Sequence, residues 1–237
     1  MKKKVIDFPN EYEMTYSKTV KKTLNEISNE YSKIKISEGL KNQITNITEE
    51  YLSKYKSSGL NKKNIKTIVL KQLEYKYNIE KETFKYFDIT KTNINFTAFV
   101  KENVGEVTTV IKDEIEKIVL YEADYMKKTF IKKVEQLEKK ESKIKLKDIK
   151  EIQKEARNKT LRQAELTARN KSGNLYSDTL KDITKDMDCQ LRWITENDGR
   201  VRPEHAEREG VIYNIDDLDL WPGEDYGCRC QGEIIQK

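Results

Sequence analysis

The stretch Cys189-Gln-Leu-Arg-Trp-Ile-Thr195 is where the chain changes its hydrophobic period. Its positions alternate between Cys189, Leu191, Trp193 and Thr195 on one side and Gln190, Arg192 and Ile194 on the other. A period of two residues is typical of a β-strand, whose successive side chains point to opposite faces of a sheet. Upstream, apolar residues recur every three or four positions, which is the helical period. The sequence therefore predicts helices followed by a strand.

The residues after this strand have the composition of a small antiparallel sheet. Asn197-Asp198-Gly199 predicts a tight turn, Val211-Ile212-Tyr213 a second strand and Gln231–Gln236 a third. Residues that favour turns cluster in the same region: Gly199, Pro203, Gly210, Pro222, Gly223 and Gly227. We assign Gly210, Pro222 and Gly223 to turns, and we predict a β subdomain at residues 188–237.

The N-terminal region, residues 1–99, contains three helical patterns. The apolar residues of the first are Tyr12, Tyr16, Val20, Leu24, Ile27, Tyr31 and Ile34. The second begins after Ser37 as an N-cap and ends at Ser57-Ser58-Gly59, and the third follows Asn61 and extends to Tyr77. The stretch Thr83–Phe99 has no clear period, so no element is predicted there.

Residues 100–187 form a second predicted region, made of long amphipathic helices. One helix is predicted from about Val100 to Glu141, with the apolar positions Val104, Val107, Ile111, Ile115, Ile118, Tyr121, Tyr125, Phe130, Val134 and Leu137. Two more are predicted within Lys145–Lys185, separated at Ser172-Gly173-Asn174. The predicted fold is therefore α+β and mostly helical. The apolar stripes on these helices indicate core packing. Because the stripes are long, we also expect the helical part to dock on a partner.

Composition limits the classes of function. Charged residues make up 37% and hydrophobic residues 36%, which suits long helices better than a compact enzyme. The net charge of +5 is the remainder of 46 basic and 41 acidic residues, so DNA binding is permitted but not implied. No apolar run approaches the length of a membrane span, and acidic residues soon follow the basic Met1–Lys4, so we expect a chain made in the cytosol, without a signal peptide or membrane partner.

Three residues of the C-terminal region are of types that bind zinc: His205, Cys228 and Cys230. The candidates for a fourth ligand are Cys189 and Asp198. Such a small sheet is near the size at which a metal or disulfide is needed, and a reducing cytosol disfavours a disulfide. In the alternative interpretation His205 forms local hydrogen bonds and the cysteines are small buried apolar residues.

Four charged residues nearby are complementary: Asp198, Arg200, Arg202 and Arg229. We predict that they form ion pairs with each other in preference to phosphate contacts. Trp193 and Trp221 are predicted to anchor the core rather than to stack on bases.

The residues singled out in the C-terminal region form a motif when they are taken in order along the chain. It consists of Trp193-x-Thr195, Asp198-x-Arg200-x-Arg202, His205, Gly210, Pro222-Gly223 and Cys228-Arg229-Cys230. The motif resembles the signature of the phage Mu protein F-like family, in which His or Cys follows the arginines. Upstream, Ala164–Asn170 resembles the family's Ala-rich helix, with Asn170 where Thr is usual. The resemblance covers roughly the second half of the chain.

The resemblance implies a structural minor head protein of a tailed bacteriophage, without catalytic activity. Its implied partner is the portal protein, with self-association and contact with phage genomic DNA also open, and its role is head morphogenesis, DNA packaging or delivery. Its implied location is the head interior or the portal vertex of the virion, and the host cytoplasm during assembly. The alternatives are a DNA-binding protein of the head interior and a nuclease with His205 as general base beside Arg200 or Arg202.

Overall fold

The computed structural model describes residues 1–35, 39–58, 62–90, 95–140 and 144–237. Within these ranges it contains six α-helices and one four-stranded antiparallel sheet, so the predicted α+β, mostly helical fold is confirmed. None of the helices in the described ranges combines the length and the apolar character needed to cross a membrane.

The first three helices lie where their periodicity predicts them. They are α1 (Asn10–Glu30), α2 (Leu40–Ser58) and α3 (Lys62–Tyr86), and a 3₁₀ turn at Tyr31–Lys33 follows α1. The proposed capping residues Ser37 and Asn61, and Gly59 of the predicted interruption, lie outside the described residues.

The fourth helix, α4, spans Phe96–Lys140. It begins where it does because the Asn95 side chain accepts a hydrogen bond from the Ala98 backbone N–H at 2.9 Å, which satisfies one free donor of the first turn. The stretch Thr83–Phe99, for which no element was predicted, therefore holds the end of α3 and the start of α4.

The buried face of α4 differs from the predicted stripe. Its buried residues are Ile111, Ile115, Val119, Glu122, Ala123, Met126, Phe130 and Val134. The predicted Tyr121 is instead 67% exposed. At about 100° per residue, Tyr121 lies about 120° around the axis from Ile115, so it cannot share its face. Including Tyr121 in the stripe was therefore wrong.

The fifth helix, α5, is one helix from Leu146 to Thr184 rather than the predicted two. Gly173 does not break it. A Cβ at Gly173 would lie 2.2 Å from the carbonyl oxygen of Gly223, so this glycine permits a close approach between α5 and a loop. Glycine often ends a helix, but here its missing side chain lets the helix backbone pack closely on the loop backbone.

The sheet contains strands β1 (Lys3–Val5), β2 (Cys189–Ile194), β3 (Ile212–Asn214) and β4 (Gln231–Gln236), in the order β1-β4-β2-β3. The three strands of the C-terminal region agree with the predicted ones. β2 and β4 pair along their whole lengths, from Cys189 opposite Gln236 to Ile194 opposite Gln231. β1 was not predicted, because three residues are too few to show a period.

The chain divides into two compact units, each built from separate segments. The first contains residues 1–15, 68–107 and 166–237, and the second contains residues 16–67 and 108–165. The predicted domain boundaries after residues 99 and 187 stay a prediction.

The sheet belongs to the first unit and packs on α5. Leu191 and Ile234 from the sheet, with Tyr176 and Leu180 from α5, are completely buried members of one cluster. The Tyr176 hydroxyl donates a hydrogen bond to the Ile6 carbonyl at 3.0 Å and accepts one from the Gly232 N–H at 2.7 Å. This one side chain therefore connects α5 to β4 and to the residue after β1.

Candidate metal centre

The motif residues come together at the end of β2. Trp193 is completely buried and uses its backbone N–H and C=O to bond Val211 and Gly210, each at 2.9 Å. The chain between them forms a short helix, α6 (Pro203–Ala206). Pro203 suits the first helical position because its fixed φ is already helical and its missing N–H is not needed there.

Three side chains of this region meet below the surface. The Nδ1 atom of His205 lies 3.5 Å from Cys228 Sγ and 3.4 Å from Cys230 Sγ. The potential ligand atoms of the three residues all lie within 4.8 Å of one another, and each residue is at most 5% exposed. The structure thus brings together the three predicted ligands, and the binding of a metal by them stays a prediction.

The two residues suggested as a fourth ligand lie elsewhere. Cys189 begins β2, four residues or about 13 Å from Trp193 along the strand, and it packs in the cluster of Leu191 and Ile234. Asp198 is engaged by arginines. Neither residue joins the His205 group found in the described part of the chain.

The three cysteines are free and buried. The sulfur of Cys228 accepts a hydrogen bond from the Cys230 backbone N–H at 3.3 Å. The hydrogen bond with the Cys230 thiol lowers the pKa of Cys228, and backbone N–H donors add to this effect while burial opposes it. The same side-chain interaction raises the pKa of Cys230. Burial raises the pKa of Cys189 to about 11, as expected for an inert core thiol.

The environment of His205 includes a residue that the sequence analysis missed. His205 Nε2 lies 3.3 Å from Asp225 Oδ2, a close contact that lacks the alignment of a full hydrogen bond. Arg202 donates to the same carboxylate and to the Tyr226 carbonyl. Asp225 lies in a loop without a period, so no sequence pattern identified it.

The remaining arginines of the motif are paired mainly with Asp198. Arg200 and Arg229 each place an NH2 group 2.7 Å from Asp198 Oδ2. Hydrogen bonds from Arg229 and then Arg200 hold the pKa of this carboxyl well below its usual range. The predicted ion pairs are present for Arg200 and Arg229, whereas Arg202 pairs with Asp225.

Two tryptophans have different environments. Trp193 meets the His205 ring edge-to-face, with centroids 5.6 Å apart, and the Arg208 guanidinium lies 5.2 Å from its ring centroid. Trp221 is partly buried against the Leu191 cluster. Trp193 is thus a core anchor as predicted, and Trp221 packs at the edge of a core.

A cavity of about 90 Å³ adjoins the three potential ligands. Its lining residues are Glu196, Arg200, Val201, Arg202, His205, Gly227, Cys228, Arg229 and Cys230. A water molecule occupies about 30 Å³ of liquid, so the cavity has room for a small number of them.

The fold and the site define a helix-rich α+β protein whose terminal sheet is anchored by Trp193 and a buried His/Cys/Cys cluster. Residues 124–233, somewhat less than half of the chain, match the model of the phage Mu protein F like protein family, so this segment is similar to that family. The predicted resemblance is confirmed, and the family implies a phage head-morphogenesis protein. No curated protein and no solved structure matches the chain significantly.

Proposed function

We propose that this chain is a structural minor head protein of a tailed bacteriophage and that it associates with the portal protein. The observation that carries this proposal is the family match over residues 124–233, which contains the whole motif from Trp193 to Cys230. The proposed location is the portal vertex or the head interior of the virion, reached after synthesis in the host cytoplasm.

The burial of the motif supports a structural role. Trp193 is completely buried, and His205, Cys228 and Cys230 are 3%, 5% and 4% exposed. Side chains placed in this way maintain the shape of a surface and do not themselves contact a large partner. We therefore propose that the motif shapes the C-terminal sheet, and that docking uses other residues.

The nuclease alternative requires His205 to reach a substrate as general base. Its ring is nearly inaccessible, with Nδ1 facing two sulfurs and Nε2 beside Asp225. DNA cleavage that is lost in a folded His205→Ala variant would support this alternative over the structural proposal.

The DNA-binding alternative requires free basic groups. Arg200, Arg202, Arg208 and Arg229 each contact a carboxylate instead. Binding through phosphates would weaken steeply with added salt, so duplex affinity measured at several salt concentrations distinguishes this alternative.

The proposal is tested by co-expressing the untagged chain with the tagged portal protein of the phage that encodes it. We expect the chain to co-purify with the portal. The tagged major capsid protein of the same phage is the matched control, and it should recover little of the chain. Equal recovery with both, or recovery with neither, would contradict portal association.

A further inference from the structure

The separations within the His205 cluster match those of a tetrahedral zinc site. With zinc about 2.3 Å from sulfur and about 2.0–2.1 Å from nitrogen, tetrahedral angles place nitrogen and sulfur about 3.5 Å apart. The observed Nδ1 to Sγ distances are 3.5 and 3.4 Å. The two nitrogen-to-sulfur separations therefore already match those of a tetrahedral zinc site.

Hydrogen bonds from the two thiols explain this arrangement less well than a bound cation does. Nδ1 has one lone pair and can accept one proton, yet the sulfurs of Cys228 and Cys230 approach it equally closely. A cation between the three atoms interacts with all of them at once, and two thiolates would balance the charge of a divalent ion.

The surrounding donors support the same interpretation. Cys228 Sγ already accepts the Cys230 backbone N–H at 3.3 Å. The indole N–H of Trp193 is buried in the cluster of the two cysteines and has no well-aligned acceptor in the described part of the chain. A donor directed at a sulfur, such as the Cys230 backbone N–H at Cys228 Sγ, favours a thiolate, which is the form that binds zinc.

Asp225 lies where a metal-bound histidine usually has a carboxylate partner for its second ring nitrogen. Metal-bound histidines usually direct their second ring nitrogen to a carboxylate, which selects the tautomer and orients the ring. Here Nε2 faces Asp225 at 3.3 Å, and this leaves Nδ1 as the ligand atom. Arg202 in turn holds the Asp225 carboxylate.

We propose that His205 Nδ1, Cys228 Sγ and Cys230 Sγ bind one zinc ion, whose fourth ligand is a water molecule in the adjoining cavity. Cys189 is at the other end of β2, and Asp198 is held by Arg200 and Arg229, so neither supplies the fourth ligand. The cavity beside the cluster provides the space for the water. The zinc would tie the segment before β4 to α6.

The test uses the full chain, purified under reducing conditions with a tag that lacks histidine. Metal is measured by elemental analysis before and after reconstitution with zinc and dialysis. We expect one zinc per chain, and loss of most of it in Cys228→Ser and Cys230→Ser. Cys189→Ser is the matched control, because it removes a buried thiol that lies outside the proposed ligand set and should keep its zinc. A wild-type chain that holds no zinc after reconstitution overturns the proposal.

Cobalt substitution separates metal binding from folding. Cobalt added to the metal-free wild-type chain should give the visible bands of a tetrahedral site and sulfur-to-metal charge transfer, and X-ray absorption should count two sulfur ligands. Three sulfur ligands, or equal binding by the wild-type chain and Cys228→Ser, would show that the assigned ligand set is wrong. These measurements are informative even if a serine variant unfolds.

Discussion

At the scale of single residues, Asp198 holds the turn that follows β2. Its carboxylate accepts hydrogen bonds from the Arg200 backbone, the Arg200 guanidinium and Arg229. Arg229 lies between the two cysteines in sequence, so Asp198 links the turn to the segment that carries them. An ion pair with several donors is worth more than an isolated surface pair.

We predict that Asp198→Asn lowers the melting temperature at neutral pH, because Asn keeps the shape but removes the charge. The pKa of Asp198 is lower in the folded than in the unfolded chain, so its stabilising effect is complete above the unfolded value, about 4, and is lost as the pH falls through the folded value. The difference between the wild-type and variant melting temperatures should therefore shrink below about pH 4.

The matched control is Asp216→Asn, which removes an exposed carboxylate. It should leave the melting temperature nearly unchanged, as most surface substitutions do. Equal effects of the two variants, or an Asp198 effect that does not depend on pH, would contradict the assigned role.

Residue types alone predicted part of the site. His205, Cys228 and Cys230 were identifiable because few residue types bind zinc, and Asp198 because a carboxylate lay among arginines. Asp225 was not identifiable, since its proximity to His205 depends on the path of the loop before Cys228, and loop paths leave no periodic signal.

At the scale of elements, the packing of α5 against the loop before β4 is the contact that positions the cysteines. Because Gly173 and Gly223 have no side chains, the backbone of α5 can contact the backbone of the loop. Gly223 also has a φ of +84°, which an L-residue with a side chain rarely adopts. Lys181 of α5 supports the same loop through Glu224 at 2.8 Å.

We predict that Gly173→Ala is strongly destabilising although alanine is the better helix former. The new Cβ would lie 2.2 Å from the Gly223 carbonyl oxygen, and backbone cannot move aside as a flexible side chain can. Overpacking of this kind costs about 1–3 kcal/mol, and we expect the upper end of that range in urea unfolding.

Gly105→Ala in α4 is the matched control. It is also a helical glycine, but a Cβ there meets nothing within 4 Å. Alanine should therefore stabilise the chain by about 0.5–1 kcal/mol through its helix propensity. If Gly173→Ala were as harmless as Gly105→Ala, the close approach of α5 to the loop would be wrong.

Elements with a long, regular period were predictable, and those fixed by tertiary contact were not. The helices from Asn10 to Tyr86 and the strand at Cys189 follow local patterns. The continuity of α5 through Gly173 depends on a partner loop about fifty residues later, and β1 depends on pairing with β4. Such non-local partners override local propensity.

At the scale of the whole molecule, the family motif lies in the first compact unit, whereas most of residues 16–165 form the second. The second unit has its own polar contacts, including Tyr31 to Thr48 at 2.7 Å and Arg157 to Asn25 at 2.7 Å. The apolar stripes predicted from sequence are largely used within the chain, since Ile111, Ile115 and Phe130 are at most 1% exposed. Docking on a partner stays a prediction.

Quantitative mass spectrometry of purified virions is the most direct test of a structural role in the phage head. The virions come from the phage that encodes this chain, and they are freed of host debris and unassembled protein. We predict that peptides of the chain are present in an amount comparable to the portal protein and far below the major capsid protein. Virions that contain the portal but lack this chain would contradict the proposed role as a head constituent.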